Sequence, residues 1–170
     1  LLSCLAVGLI NGFLVGKFRL PPFIATLGTM FVARGIAYMV NGNRNTDAIT
    51  TGIGKEAGDA FQNFFYYGSI AKVYNAFWIA LVVFVIMFFI LSKTRTGRHI
   101  YAIGSNIDAA KLSGVNIVAT TTKVYLISAV CSWLVGLILC AQAGMGNMEA
   151  GISYEMYGVA AGVIGGVSPL

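Results

Sequence analysis

The chain has 170 residues, 58% of them hydrophobic and 10% charged, with a mean hydropathy of +0.81. A soluble domain carries about 25% charged residues, so this composition excludes a soluble enzyme or a nucleic-acid-binding module and marks an integral membrane protein. The net charge of +5 does not change that reading, because the Lys and Arg residues fall between apolar runs instead of forming one basic face.

Taken in order, residues 1–16 read as the tail of a first span, since a crossing needs about 20 mainly apolar residues. Gly8, Gly12 and Gly16 recur every fourth residue and line one helix face, where a second helix can approach closely. Ordinary helix packing explains the stripe, while the adjacent Asn11 is a candidate for lining a solute path. Lys17 and Arg19 close the span. Pro21 and Pro22 stand where proline is tolerated, at a helix start, and open a second span over 22–40 with Thr26, Thr29 and Tyr38 as its polar points. Arg34 lies about 18 Å along that helix from Pro22, far enough toward one surface to snorkel.

Residues 41–72 are polar and glycine-rich and read as an extramembrane loop. Its second half gathers Phe61, Phe64, Phe65, Tyr66 and Tyr67, which fits a short helix lying at the headgroup level. Residues 73–92 form the clearest span, an uncharged run with Trp78, Phe84, Phe88 and Phe89 for lipid to meet. A basic segment over 93–122 follows, then a span over 123–142, a turn over 143–153 carrying Glu149, and a last apolar run over 154–170. In that run Gly158, Gly162 and Gly166 again make a small-residue face. The chain opens inside an apolar run without Met and ends at Ser168-Pro169-Leu170 with no polar flank, which reads as part of a larger helical bundle.

Lys17, Arg19, Lys93, Arg95, Arg98, Lys111 and Lys123 fall on one side of this threading and Arg44, Lys55 and Lys72 on the other. The excess of basic residues places 93–122 in the cytosol and 41–72 and 143–153 outside. Within the cytosolic segment, Ser105-Asn106-Ile107-Asp108 has capping-box form with Ser105 at the cap and Asp108 three residues on, and Gly114 supplies the stop. The expected helix, 106–113, is too short to stand alone and has to dock against something.

Several motifs resemble one family. Asp108-Ala109-Ala110, three residues, then Gly114 resembles the acidic-Ala-Ala-x3-Gly loop of ABC importer permeases, with Asp where the general motif prefers Glu. Residues 22–30 (PFIATLGTM), 96–104 (TGRHIYAIG), and Tyr154-Glu155-Met156 leading to Gly165-Gly166 look like the permease subunit of bacterial ribose-type sugar importers, related to the branched-chain amino-acid permeases. The likeness covers nearly the whole chain outside 46–75. It implies an all-α, polytopic transmembrane bundle in the bacterial cytoplasmic (inner) membrane, part of a larger permease. It further implies a passage for a monosaccharide or similar solute, lined here by Asn11, Thr26, Thr29 and Tyr38, and an ATPase contact at Asp108, Ala109, Ala110 and Gly114. The implied partners are a separate ATP-binding subunit, which holds ATP and Mg, an extracytoplasmic solute-binding protein and a second permease subunit, most simply a copy of the same chain. The chain itself is expected to bind no cofactor or metal and no nucleic acid.

The other chemistries find little support. Asp47, Glu56, Asp59, Asp108, Glu149 and Glu155 all fall in loops or at span ends, so a proton relay has no carrier near a span centre. The alternative of an ion-coupled secondary transporter or channel subunit would need its ionisable site in helices outside these residues. Gly52-Ile53-Gly54-Lys55 lacks the spacing of a phosphate-binding loop. Cys4, Cys131 and Cys140 sit singly in apolar runs, and His99 has no Ser or Cys partner at a credible position.

Overall fold

Apolar runs of this length satisfy their backbone groups in a bilayer only as helices, and the computed structural model shows them so. It describes every residue except Asn43, Ala71, Ser168, Pro169 and Leu170, so the end of the expected 154–170 span lies outside the described residues. The order is α1 (Leu2–Phe18), α2 (Pro22–Val40), α3 (Ile49–Gly52), α4 (Lys55–Gln62), a π-helical turn (Asn63–Tyr67), β1 (Ser69–Ile70), β2 (Val73–Tyr74), α5 (Asn75–Lys93), α6 (Arg95–Ser105), α7 (Ile107–Leu112), α8 (Ile117–Ala143) and α9 (Tyr154–Ile164). The all-α expectation holds. Among the described residues, β structure is confined to the antiparallel β1–β2 hairpin and a bridge between Ala48 and Met145.

Among the described residues three helices are long and apolar enough to cross a membrane: α2 and α5 with 19 residues each and α8 with 27. α1 follows with 17. Among the described residues the outward faces of α2 and α5 are bare: Phe31, Val32, Phe84 and Phe88 are each more than 60% exposed. Apolar surface on that scale belongs against lipid or other helices, not water.

The main packing is α1 on α8, running antiparallel. Gly8 meets Tyr125 and Ala129, Gly12 meets Thr122, and Gly16 meets Val118. A Cβ added at Gly12 would lie 2.7 Å from the Thr122 Cα, and one at Gly8 would lie 2.8 Å from the Ala129 Cβ. The glycine stripe is thus a seam between two backbones, and close approach of this kind is how helices associate where lipid is as apolar as they are.

At one end of the bundle the two loops 41–72 and 143–153 are laced together. Thr46 N donates to Gly146 O at 3.0 Å, Gly146 N donates to Thr46 Oγ1 at 2.6 Å, and Ile49 N donates to Gly144 O at 2.9 Å. Tyr67 adds a bond from its hydroxyl to the Gln142 carbonyl at 3.3 Å. The aromatic group expected at the headgroup level is continuous with α4 and ends in a stack of Tyr66 on Tyr74, with ring centroids 5.4 Å apart.

At the other end the chain turns sharply from α5 into α6. The Thr94 hydroxyl accepts from Gly97 N at 3.2 Å and donates to Ile90 O at 2.6 Å, capping the new helix while closing the old one. Gly97 is buried there, and any Cβ would run into the Leu91 and Ile90 carbonyls.

Three boundaries differ from the sequence reading. Residues 95–105 form a helix of their own, α6, where only 106–113 was expected to be helical. α8 begins at Ile117 instead of 123, because the Asn116 side chain accepts from Ala119 N at 3.0 Å and starts it earlier. The threonine run does not break it, since Thr120 and Thr122 return their hydroxyls to the carbonyls of Asn116 and Val118 at 2.9 and 2.8 Å. Finally, α9 covers Tyr154–Ile164, 11 residues, and the chain leaves the helix at Gly165 and Gly166, the latter at φ 86°. A helix that short is about 16 Å long, half a hydrocarbon crossing.

Candidate functional site

α1, α2 and α8 line an open cavity of about 730 Å³, within the size range of small-molecule sites. Each helix contributes polar atoms to it: Asn11 from α1, Thr26 from α2, and Tyr125, Ser128 and Ser132 from α8. Among the described residues no charged side chain lines it.

Asn11 is its best-held polar group. The residue is 7% exposed, and its Oδ1 accepts the Thr29 hydroxyl at 2.9 Å. The same hydroxyl lies 3.2 and 3.1 Å from the carbonyls of Ala25 and Thr26, so its one proton has three acceptors within reach. The Asn11 NH2 group has no protein acceptor among the described residues, which leaves two donors for whatever occupies the cavity.

Of the four residues expected to line the path, Asn11 and Thr26 do line this cavity. Thr29 stands behind Asn11 and orients its amide. Tyr38 is elsewhere, in a separate pocket with Asn45, Asn147, Met148 and Glu149. Sequence reasoning passes over Tyr125, Ser128 and Ser132 because α8 reads as one apolar run. Their helical spacing of three and four residues is the signal that places them on one face.

The second candidate region is the α6–α7 corner. α7 packs on α6 and α8. Its N-cap is Asn106, whose Oδ1 accepts from Ala109 N at 3.0 Å. Ser105, the expected cap, instead ends α6 and donates to the Ala102 carbonyl at 3.0 Å. Asp108 therefore caps nothing; it stands exposed in the first turn. The stop is where it was expected. Gly114 takes φ 80°, its N donates to Lys111 O at 3.0 Å, and Val115 N donates to Ala110 O at 3.1 Å. This pair of bonds is the Schellman arrangement, in which a left-handed glycine satisfies the last carbonyls of a helix.

Ala109 and Ala110 do not make one outward surface. Ala110 is 3% exposed and seats α7 on its neighbours, while Ile107 at 54% and Leu112 at 90% project their apolar side chains outward beside Asp108 and Lys111. Ile107 and Leu112 give this corner an apolar knob on each side of a charged pair.

The family described as branched-chain amino acid transport system / permease component matches residues 1–170, the whole chain. The chain belongs to this permease family. Similar proteins include the ribose import permease protein of Haemophilus influenzae, 38% identical over 95% of this chain and 49% of the relative. The D-allose transport system permease protein of Escherichia coli is 34% identical over 96% of this chain and 47% of that relative. The L-arabinose transport system permease protein of Escherichia coli is also 34% identical, over 94% and 46%. The resemblance to sugar permeases read from 22–30, 96–104 and 108–114 is thus borne out. The chain spans about half the length of these curated relatives. No solved structure matches it.

With the permease family established, the two regions have distinct chemical characters. The cavity offers hydroxyls and an amide, suited to a neutral polar solute. The corner offers a pinned short helix, suited to contact with another protein. Among the described residues no group of three or more His, Cys, Asp or Glu side chains is placed to hold a metal ion.

Proposed function

We propose that this permease is a membrane-spanning part of an ATP-driven importer in the bacterial cytoplasmic membrane, and that its solute is a sugar or similar small polyol. The observation that carries the reading is the cavity between α1, α2 and α8: an open cavity lined by hydroxyls and a held amide, with no charged side chain among the described residues, in a chain whose relatives are named for ribose, allose and arabinose. Neutral groups of this kind hydrogen-bond a hydroxylated solute without holding it tightly, which a path requires. In this reading a solute-binding protein delivers the sugar to the end where loops 41–72 and 143–153 meet. A second permease subunit completes the passage.

Energy enters at the other end. ATP and Mg are held by a separate ATPase subunit, and the α6–α7 corner is its contact. Asp108, Ala109, Lys111 and the apolar Ile107 and Leu112 form the outward face, with Gly114 returning the chain to the membrane. Because Thr94, Gly97 and Ala110 fix α6 and α7 to the spans, closure of the ATPase around nucleotide would move α5 and α8 together as rigid bodies.

The test is uptake by the permease assembled with its ATPase in proteoliposomes. Thr26→Phe fills the cavity and is expected to lower sugar uptake by about tenfold or more while basal ATP hydrolysis persists. Unchanged uptake would remove this cavity from the path.

A further inference from the structure

We propose that the permease holds one anionic phospholipid in the groove where α5, α6 and α8 meet, with the lipid phosphate at Lys123 and an acyl chain along Ile90, Leu126 and Ile127. The groove is open, has a volume of about 370 Å³ and is completed by Thr94 and Thr96. It shares no lining residue with the cavity between α1, α2 and α8, so it stands apart from the transport reading.

The groove exists because of how the three helices pack. α5 and α8 each rest on α6, while the packing between the two long helices themselves is slight. α6 thus roofs a gap that its neighbours leave open. The roof is fixed, since the Thr94 hydroxyl bonds both Ile90 O and Gly97 N, and the buried Gly97 leaves no space at the corner. Walls held in place beforehand lower the ordering cost of binding.

Its depth is that of a lipid phosphate. α8 has 27 residues and is about 40 Å long, more than the roughly 30 Å of a hydrocarbon layer. Measured back from Ala143, about 30 Å of helix ends at Lys123. α5 runs about 28 Å from Asn75 to Lys93. Lys93 and Lys123 therefore both stand one hydrocarbon thickness from the opposite end of their helices, where the acyl region gives way to headgroups.

The groove's two halves differ in chemistry. At one end Lys123 has no ion-pair partner among the described residues, and no Asp or Glu lines the groove. Thr96 adds a hydroxyl with no hydrogen-bond partner among the described residues, whereas the Thr94 proton is spent on Ile90 O. Lys93 and Arg95, either side of Thr94, add positive charge nearby. The other end is Ile90, Leu126 and Ile127 alone. Each competing occupant satisfies one half only. A free phosphate leaves the apolar end in water, and an uncharged chain leaves Lys123 unpaired. A zwitterionic lipid brings a cation of its own beside two lysines. An anionic phospholipid meets both halves, and basic pockets between membrane helices favour such headgroups.

The experiment is a lipid titration of the full-length permease in detergent, with bound lipid counted by native mass spectrometry. The probes are phosphatidylglycerol, phosphatidylcholine with the same acyl chains, and inorganic phosphate as a competitor. Phosphatidylglycerol is expected to bind at least about tenfold tighter than phosphatidylcholine, and millimolar phosphate is expected not to displace it. Lys123→Gln is expected to weaken phosphatidylglycerol by about tenfold, the loss of a charge-assisted contact, and Lys123→Arg to retain it. Lys17→Gln removes the same charge at the same end of the bundle, outside the groove, and is expected to change nothing. Ile127→Trp fills the apolar end and is expected to lower binding while every basic residue stays. Equal loss in Lys17→Gln and Lys123→Gln would mean diffuse attraction without a site and overturns the proposal. So do wild-type binding by both Lys123→Gln and Ile127→Trp, equal affinity for the two lipids, and displacement by phosphate.

Discussion

Replacing Gly12 with alanine tests the α1–α8 seam at its tightest point. The added Cβ would lie 2.7 Å from the Thr122 Cα and 3.2 Å from the Thr122 Cβ, and the first of these is backbone that no rotamer change can move. Carbon atoms rest at about 3.5 Å or more, so the two helices must part by roughly 0.8 Å along the seam. Overpacking of this kind costs about 1–3 kcal/mol. Alanine also returns up to about 1 kcal/mol of helix propensity. The net expectation is a loss of about 1–2 kcal/mol, or roughly a 5- to 30-fold shift toward the unfolded state. Gly136→Ala on α8 is the matched control, because no neighbouring atom lies within 4 Å of the added Cβ and only the propensity gain remains. The assay is reversible unfolding of the purified permease in mixed micelles, with both variants measured alongside the wild type. Equal stability of Gly12→Ala and Gly136→Ala would refute the seam.

Two further outcomes follow from the α6–α7 corner. Asn106→Ala removes the cap of α7 and is expected to cost about 1 kcal/mol there, seen as faster amide exchange over 107–112, whereas Asp108→Asn should leave that exchange unchanged. Capping by Asp108 after all would reverse the order. Ala110→Leu pushes a larger side chain into the contact of α7 with α6 and α8, so exchange in α7 should rise; Leu112→Asp should leave exchange alone and weaken co-purification with the ATPase by about tenfold. Wild-type ATPase binding by Leu112→Asp would take the outward face of α7 out of the contact.

The three long helices were legible because their signal is length and uniform apolarity, and α2 occupies the residues that Pro22 and the run after it indicate. The seam was legible for a related reason, since glycine at every fourth residue has one geometric meaning in a helix. What escaped the sequence was governed by contacts made elsewhere. α6 has many polar residues and gains its fixity from Thr94 and Gly97 against the end of α5, a corner that no periodicity reveals. The cap of α7 was misplaced by one residue because Ser105 and Asn106 are both good caps, and the choice depends on Ser105 already belonging to α6. The cavity was half legible: Asn11 and Thr26 stand out in apolar surroundings, but Ser128 and Ser132 count only once α8 is turned toward α1. Tyr38 was drawn to the same site by its polarity alone, and its height on α2 brings it to the loops instead.

The partner of α1 is made late. When Gly12 emerges from the ribosome, Thr122 lies roughly a hundred residues behind it, about 5–20 s away at ordinary rates of synthesis. Through that interval the backbone that the glycine face packs on does not yet exist, and lipid cannot offer one at close range. Lys17 stands at the end of α1 with Arg19 just beyond. The order of insertion therefore matters to this seam as much as the final packing. Bulk placed in the seam would then be felt as α8 arrives, as chains in which α1 and α8 fail to close, and at steady state as a lower yield of permease with otherwise ordinary spans.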